Sequence, residues 1–514
     1  MFKHNNHINQ LLDIGEYEKA HIIVRNRLAA IKSKQDRKYL LERTTLYCDL
    51  MNIGTESGNR ILLEEGLSFL IEKEKILQGI LSKSSYFYNV ASAKSSLSKI
   101  FHRENPGVHS IDTCRQHFQE PIDLFWIAYK NTISNDNLKY EILINLANAL
   151  VQNSRMIEAI QMLDIVLRDN PKFAQALVSK AAHLSLLFQI NNSKITIALH
   201  SQIYTLYVKA TKLPRIPPFI LEMCFKGLEK ELEKLNELDY CVSKIEEDNI
   251  DTDKEYNLHT DFRKFCIQYF LTLNEHAIYC NCIVAGKDDL QIGIADVIFK
   301  GALIPKLELL LNRMKSEFAF ARWNYYNSLN EKSFDYDVVF SDLFDNEIID
   351  SQSEALRTSF RICYGILDKI ALGICKIYDI AEGNIYFERF WDEKKRHDVL
   401  ISKRNVHLNA LSSIANDLNS RRGELKNFKN WRNKLEHNLL ILQSKNNLNL
   451  DPFNLISDDE FVVSVDINEF KNATLQLLQL TRAAIFSFVY CIRLETITSK
   501  RKDDVLYSIK ISTK

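Results

Sequence analysis

The sequence predicts an all-α protein in two parts, a solenoid of helical repeats followed by a helical bundle, on three observations. Only 14 Gly and 8 Pro punctuate 514 residues that are 46% hydrophobic, which favours long uninterrupted helices. A register of about 34 residues is visible in the first third, the length of a two-helix repeat. In the second half, apolar residues recur at spacings of three and four over four long stretches, the period of a helix with one buried face. The chain is also too long for a single compact core.

In the first part, residues 140–173 carry the register. Leu143, Leu146, Ala147 and Leu150 line a first helix, Ala159, Leu163 and Val166 line a second, and Pro171 closes the unit. This pattern resembles the tetratricopeptide repeat, with Leu143, Ala147 and Leu150 standing where the consensus has Trp, Gly and Tyr. Residues 15–20, Gly-Glu-Tyr-Glu-Lys-Ala, resemble the turn and second-helix start of another copy. Residues 36–100 and 173–210 continue as amphipathic helices of less regular spacing. Stacked helix pairs leave a concave face, so the resemblance implies a site for a peptide or protein trigger, a reading preferred to that of a mere platform. The domains read as tetratricopeptide-like repeats over 1–211, a linker with a charged helix over 212–254, and a helical domain over 255–514 opened by an aromatic-rich lead-in segment. The proline-dense stretch 212–218 marks the boundary.

The bundle helices are predicted at about 305–330, 352–381, 398–443 and 465–498; the second places Ile362, Ile366, Ile370 and Ile374 on one face. Four such helices pack antiparallel and can hold a site between facing surfaces. Lys plus Arg equals Asp plus Glu at 66 each, so the whole chain exerts no net field on nucleic acid. The ten cysteines include no Cys-x-x-Cys pair, and the closest two, Cys280 and Cys282, have no matching pair downstream. They read as reduced thiols, and no metal or other cofactor is expected. The first ten residues are polar and hold no secretory h-region, and the apolar run 483–492 is shorter than a membrane span. A cytoplasmic location with no membrane partner is therefore expected. Ala285-Gly286-Lys287-Asp288 lacks the first glycine and the hydroxyl of a phosphate-binding loop, and neither His-Glu-x-x-His nor Gly-x-Ser-x-Gly occurs.

One short segment carries chemistry: Trp431-Arg432-Asn433-Lys434-Leu435-Glu436-His437. A guanidinium is a permanent cation that can hold a phosphate through two parallel hydrogen bonds, and an imidazole can take or give a proton near neutrality. The spacing alone is weak, since about one such Arg-to-His match is expected by chance in a chain of this composition. Arg103 and His109, either side of Pro106 and Gly107, form such a decoy. Context adds weight. Residues 394–434 hold eleven Lys or Arg against Asp398, Asp417 and Glu424, a local surface that attracts phosphates, although charge runs also serve simply as solvated helix faces. Lys429, Lys434, Arg421 and Arg422 are the RNA-binding candidates of this stretch.

A helical bundle whose third long helix carries Arg432, the polar Asn433, three further residues and His437, with Glu436 directly before the histidine, resembles the HEPN superfamily. The resemblance extends over residues 262–274, the helix through Arg322 and Trp323, and the helix through Leu367, Asp368, Lys369, Ile370 and Ala371. Active HEPN members are metal-independent endoribonucleases, and repeats followed by an HEPN domain occur among prokaryotic defence proteins. The resemblance thus implies a toxin-like or antiviral effector, gated by its repeats, that cleaves cellular or phage RNA. Arg432 and His437, with Asn433, would be catalytic, the product would be a 2′,3′-cyclic phosphate, and the chain would pair as a homodimer through this domain. The alternative is a catalytically silent HEPN scaffold that binds RNA or protein.

Three acidic or basic residues are candidates to support the catalytic pair. Glu436 is either such a companion or the capping-box partner of Asn433, which would then be an N-cap. Asp368, in an apolar run, is either ion-paired to a bundle cation or poised in the cleft. Arg322 has the same two readings, with the ion pair preferred. Residues 331–354, with eight acidic side chains and the single base Lys332, read as a solvated loop or as an acidic flap over the basic cleft.

Overall fold

The computed structural model describes residues 6–34, 36–107, 110–132, 137–190, 196–214, 216–245, 252, 254–293, 303–330, 350–381, 383, 385–392, 394–421, 423–444 and 461–498. His109, Arg422 and most of the acidic stretch 331–354 lie outside them. The chain divides after Val242 into two compact units.

The N-terminal unit is a succession of helices: α1 (Asn6–Asp13), α2 (Tyr17–Ile31), α3 (Arg37–Ser57), α4 (Arg60–Glu72), α5 (Glu74–Gln78), α6 (Lys83–Glu104), α7 (Ile111–His117), α8 (Gln119–Lys130), α9 (Leu138–Gln152), α10 (Met156–Asp169), α11 (Ala174–Ile190), α12 (Ile197–Thr211) and α13 (Pro218–Glu237). Chain neighbours pack together, as α3 with α4, α9 with α10 and α11 with α12. Leu143, Leu146, Ala147 and Leu150 of α9 share one buried cluster with Ala159, Leu163 and Val166 of α10. The α1–α2 and α9–α10 turns are alike. The Gly15 N–H reaches the Leu12 carbonyl and the Glu16 N–H the Leu11 carbonyl, and the same pair of bonds recurs from Ser154 to Val151 and from Arg155 to Leu150. This is the Schellman closure of a helix, which needs a left-handed residue; Gly15 has φ +76° and Ser154 φ +63°. Helix α13, in the stretch read from sequence as a linker with a charged helix, packs on α12 within this unit. A buried His200–Glu231 contact, Nδ1 to Oε2 at 2.5 Å, joins the two.

The C-terminal unit opens with α14 (Asp261–Gln268), capped by the Thr260 hydroxyl. Then come α15 (Leu303–Leu329), α16 (Ser351–Tyr378), α17 (Phe387–Phe390), α18 (Lys394–Ile401), α19 (Val406–Asp417), α20 (Lys426–His437), β1 (Leu439–Gln443), β2 (Val462–Asp466) and α21 (Ile467–Thr498). Helices α15, α16, α19 and α21 form the bundle. Ile366, Ile370 and Ile374 are fully buried in it. Helix α21 is long and apolar enough to cross a membrane, but 83% of that window is buried inside the protein, so its apolar surface is spent on the core.

The third helical pattern, predicted as one element over 398–443, is corrected to three helices and a strand. Asn405 caps a new start by accepting the His407 N–H at 3.1 Å. At Gly423 the chain folds so closely over the end of α19 that a Cβ would lie 2.1 Å from the Asp417 carbonyl oxygen, which only glycine permits. Beyond α20, the apolar run of β1 pairs in parallel with β2, Leu439 opposite Val462 and Gln443 opposite Asp466.

The lead-in segment 269–293 has little regular structure of its own among the described residues, two 3-10 turns at His276–Ile278 and Ile283–Gly286, yet buries Leu271, Leu273, Ile278 and Leu290. Its backbone groups are satisfied by bundle side chains, as buried polar groups must be. Arg322 of α15 donates to the Leu271 carbonyl at 2.6 Å, Arg482 of α21 to Thr272 at 2.8 Å and Gln479 to Tyr269 at 3.0 Å. Arg493 pairs with Glu275 at 2.8 Å. Asp288 ties these together: it accepts from both terminal nitrogens of Arg322, from Arg263 at 3.0 Å and from the Leu273 N–H at 2.8 Å. Burial pushes the Asp288 carboxyl up, but the Arg322 bonds and charge carry it below its usual range. A depressed carboxylate stabilises above its unfolded pKa of about 4 and loses that contribution as pH falls through the native value. Asp288→Ala, which strands the buried Arg322 cation, is expected to cost about 3–5 kcal/mol in urea unfolding of the intact chain; a loss below about 1 kcal/mol would contradict the clamp.

Candidate active site

Helix α20 carries Arg432 and His437, and an aromatic box positions it. Phe428 and Trp431 stand three residues apart and so share one face. Phe428 packs at 5.5 Å from Phe360 of α16, Trp431 at 6.3 Å from Phe360 and 5.7 Å from Phe470 of α21. With Trp431 locked inward, Arg432 is turned toward α16 two turns along from Phe360, where Asp368 lies.

The Arg432 guanidinium is half-buried, with one terminal nitrogen 3.9 Å from Asp368 Oδ2. Its carbon sits 5.7 Å from the Tyr386 ring centroid. Asp368 Oδ1 accepts the Phe387 N–H at 2.8 Å, so the same carboxylate holds the start of α17. Burial drives the Asp368 carboxyl up to about 6; Glu388 adds to the rise, while the Phe387 N–H, Arg432 and Lys369 oppose it without cancelling it. The reason is geometric: at 3.9 Å the pair is at the edge of contact, so Arg432 neither neutralises Asp368 fully nor is consumed by it. One turn earlier on α16, the buried Tyr364 hydroxyl has no hydrogen-bond partner among the described residues. Burial first, and Glu388 next, hold that phenol well above its usual range. A loosely engaged arginine, a carboxyl raised to about 6 and a buried hydroxyl with no partner among the described residues lie together here, which makes the cluster a candidate functional site.

His437 is the last residue of α20 and is exposed, with no hydrogen bond or ion pair to the described residues. Five residues along a helix correspond to about 7.5 Å of rise and about 140° of rotation, so Arg432 and His437 point from different faces. Asn433 is half-buried, its Oδ1 3.5 Å from an Arg432 nitrogen. It is not an N-cap: α20 begins at Lys426 after Leu425, and Asn433 lies eight residues into the helix, so the capping-box reading with Glu436 is corrected. Glu436 is exposed.

Two basic candidates are also relocated. Lys429 is buried and pairs with Glu388 at 2.6 Å, so its ammonium is engaged within the protein, and Lys434 is buried. Arg421 is exposed, as are Arg404 and Lys426. Arg322 is occupied by Asp288 and the lead-in segment, the ion-pair reading, and shares no partner with Arg432. Asp368 is both ion-paired to a bundle arginine and placed at the site. Periodicity missed Tyr364, Tyr386 and Glu388. The one signal for the last was an acid inside Phe387-Glu388-Arg389-Phe390-Trp391, whose aromatic residues are fully buried.

Residues 299–495 match the family model described as LA2681-like HEPN. The chain therefore carries a C-terminal region similar to HEPN domains of that type, spanning the bundle and every residue of the site above; the N-terminal unit lies outside the match. No curated protein and no solved structure matches the chain.

Asp368 gives this site a pH signature. Its native value of about 6 exceeds the unfolded value of about 4. The native state thus holds the proton more tightly, and stability falls as pH rises between the two. Asp368→Asn keeps an acceptor for the Phe387 N–H and removes the charge. It is expected to unfold about 1–3 kcal/mol later than wild type at pH 7, with the difference vanishing near pH 4. A variant less stable than wild type at pH 7 would overturn the assignment of a strained carboxyl.

Proposed function

We propose that the chain is an endoribonuclease acting through Arg432 and His437, with its N-terminal unit as a tetratricopeptide-like sensor. The observation that carries this reading is the state of Arg432. It is a half-buried guanidinium held over Tyr386 and only loosely engaged by Asp368, five residues from an exposed histidine that has no partner among the described residues, in a region similar to HEPN domains. In the proposed reaction the ribose 2′ oxygen attacks phosphorus and the bond from phosphorus to the 5′ oxygen breaks. The 2′-OH proton leaves to a base and the departing 5′ oxygen gains one. His437 serves one of these transfers, Arg432 stabilises the charge that gathers on the phosphoryl oxygens, and a 2′,3′-cyclic phosphate results. Asn433 steadies the guanidinium. Because Arg432 and His437 diverge around α20, a homodimer that brings two such helices to one cleft would supply both groups to one phosphate. The biological setting that fits is a cytoplasmic, toxin-like or antiviral effector, released by a peptide or protein at the repeats, with cellular or phage RNA as substrate.

One observation favours the second reading, a catalytically silent scaffold: the burial of Lys429 and Lys434 and the neutralisation of Lys429 by Glu388 thin the basic surface expected beside the motif. Induced expression of wild type, Arg432→Ala and His437→Ala, with sequencing of RNA ends that bear cyclic phosphate, separates the two. The nuclease reading expects such ends in wild type and a fall of about a hundredfold or more in each variant at unchanged helical content. Identical RNA ends in all three strains, with and without phage challenge, would favour the scaffold.

A further inference from the structure

The lead-in segment holds a cluster that the motif at Arg432 does not use. His276, Cys280 and Cys282 bring one nitrogen and two sulfurs to within 4.8 Å of one another. Their order, His-x-x-x-Cys-x-Cys, is not a paired Cys-x-x-Cys spacing, so counting cysteines passed over it; the histidine joins only because the 3-10 turn at His276–Ile278 folds the chain back. We propose that these three side chains bind a single zinc ion, with water as the fourth ligand, as a staple for residues 269–293.

The donor set is the first argument. Two thiolates and an imidazole form a borderline-soft site that suits zinc over calcium or magnesium, which need oxygen ligands. The ligands are also prepared. His276 Nδ1 lies 2.8 Å from the Tyr279 hydroxyl, the outer contact that fixes a ligating imidazole and directs its other nitrogen inward. That Nε2 lies 3.0 Å from Cys282 Sγ. The Cys282 N–H points at Cys280 Sγ at 3.4 Å, which holds the two cysteines within one turn of chain.

The scaffold is the second argument. Asn274 donates to the Val284 and Lys287 carbonyls, each at 2.8 Å, and accepts the His276 N–H at 2.8 Å, so both ends of the cluster hang from one side chain. Glu255 accepts the Ile283 N–H at 3.0 Å, and the His259 ring meets the Cys282 carbonyl at 3.0 Å. A segment with so little regular structure gains most from a metal, because the ion's binding energy becomes folding energy. The site belongs to the packing of this segment and takes no part in the chemistry proposed for Arg432 and His437, so either can fail without the other.

The test uses the full-length chain purified with zinc and desalted, followed by metal analysis and titration of stripped protein with cobalt(II). The expected result is about one equivalent of zinc per chain, a thiolate-to-cobalt charge-transfer band, and visible bands of a tetrahedral centre. Cys282→Ser and His276→Ala should each lose most of the metal, while Cys241→Ser, which removes an exposed thiol outside the cluster, should retain it. Zinc below roughly a tenth of an equivalent together with no charge-transfer band on cobalt addition to wild type would overturn the proposal. Full metal content in Cys282→Ser would overturn it as well. The cobalt titration of wild type decides the matter even if a variant does not fold.

Discussion

The candidate site depends on a carboxylate that its surroundings do not fully accept. Asp368 sits in the middle of α16, where burial favours a neutral group, yet it is the acceptor that fixes the N-terminus of α17 and the anion that faces Arg432. Satisfying it with a closer cation would relieve the strain and would also bind Arg432 shut. At 3.9 Å the arginine is directed without being occupied. Glu388 shows the contrasting solution nearby: its charge is closed at 2.6 Å by Lys429, and that lysine is lost to any other partner. Two adjacent acid–base pairs thus differ in closure, one sealed at 2.6 Å and one held loosely at 3.9 Å.

The lead-in segment follows a similar economy. With few internal backbone bonds, it borrows donors from the bundle. Arg322, Arg482 and Arg493 reach its carbonyls or its acid from α15 and α21. Long cationic side chains do this well because one guanidinium offers several donors in a fixed plane. Asp288 is the return connection, holding Arg322 in place while accepting from Leu273. The bundle helices therefore present an inner surface built for this segment as well as for each other.

Much of this was legible in the sequence, and the limits are physical. The predicted stretches 305–330, 352–381 and 465–498 match α15, α16 and α21 closely, because long apolar periodicity records burial directly. The third stretch was misread because Gly423 and Asn405 break the chain without disturbing the apolar count. The run at β1 is apolar enough to extend a helical pattern, although its residues pair with a distant strand. Arg432, Asn433 and His437 were singled out as candidates by residue type, but their orientation depends on Trp431 and Phe360, which come together only in three dimensions. Lys429 was read as a surface cation because its partner Glu388 lies 41 positions earlier. Cys280 and Cys282 were read as two reduced thiols and His276 was not singled out, since their convergence depends on a turn held by Asn274.

The geometry of α20 has a consequence for control. If Arg432 and His437 of one chain diverge by about 140°, a single copy presents an electrophilic group and a proton-transfer group to different regions of solvent. A phosphate held by both then requires a second surface, and in the proposed homodimer that surface is another α20. Activity would depend on pairing as well as on the site itself, and pairing obeys mass action. The N-terminal unit then needs no contact with the site to govern it: anything that changes how two chains associate changes the population of complete clefts. A partner at the N-terminal unit would act through its differential affinity for the paired and unpaired states, and the strength of the switch would be bounded by that difference.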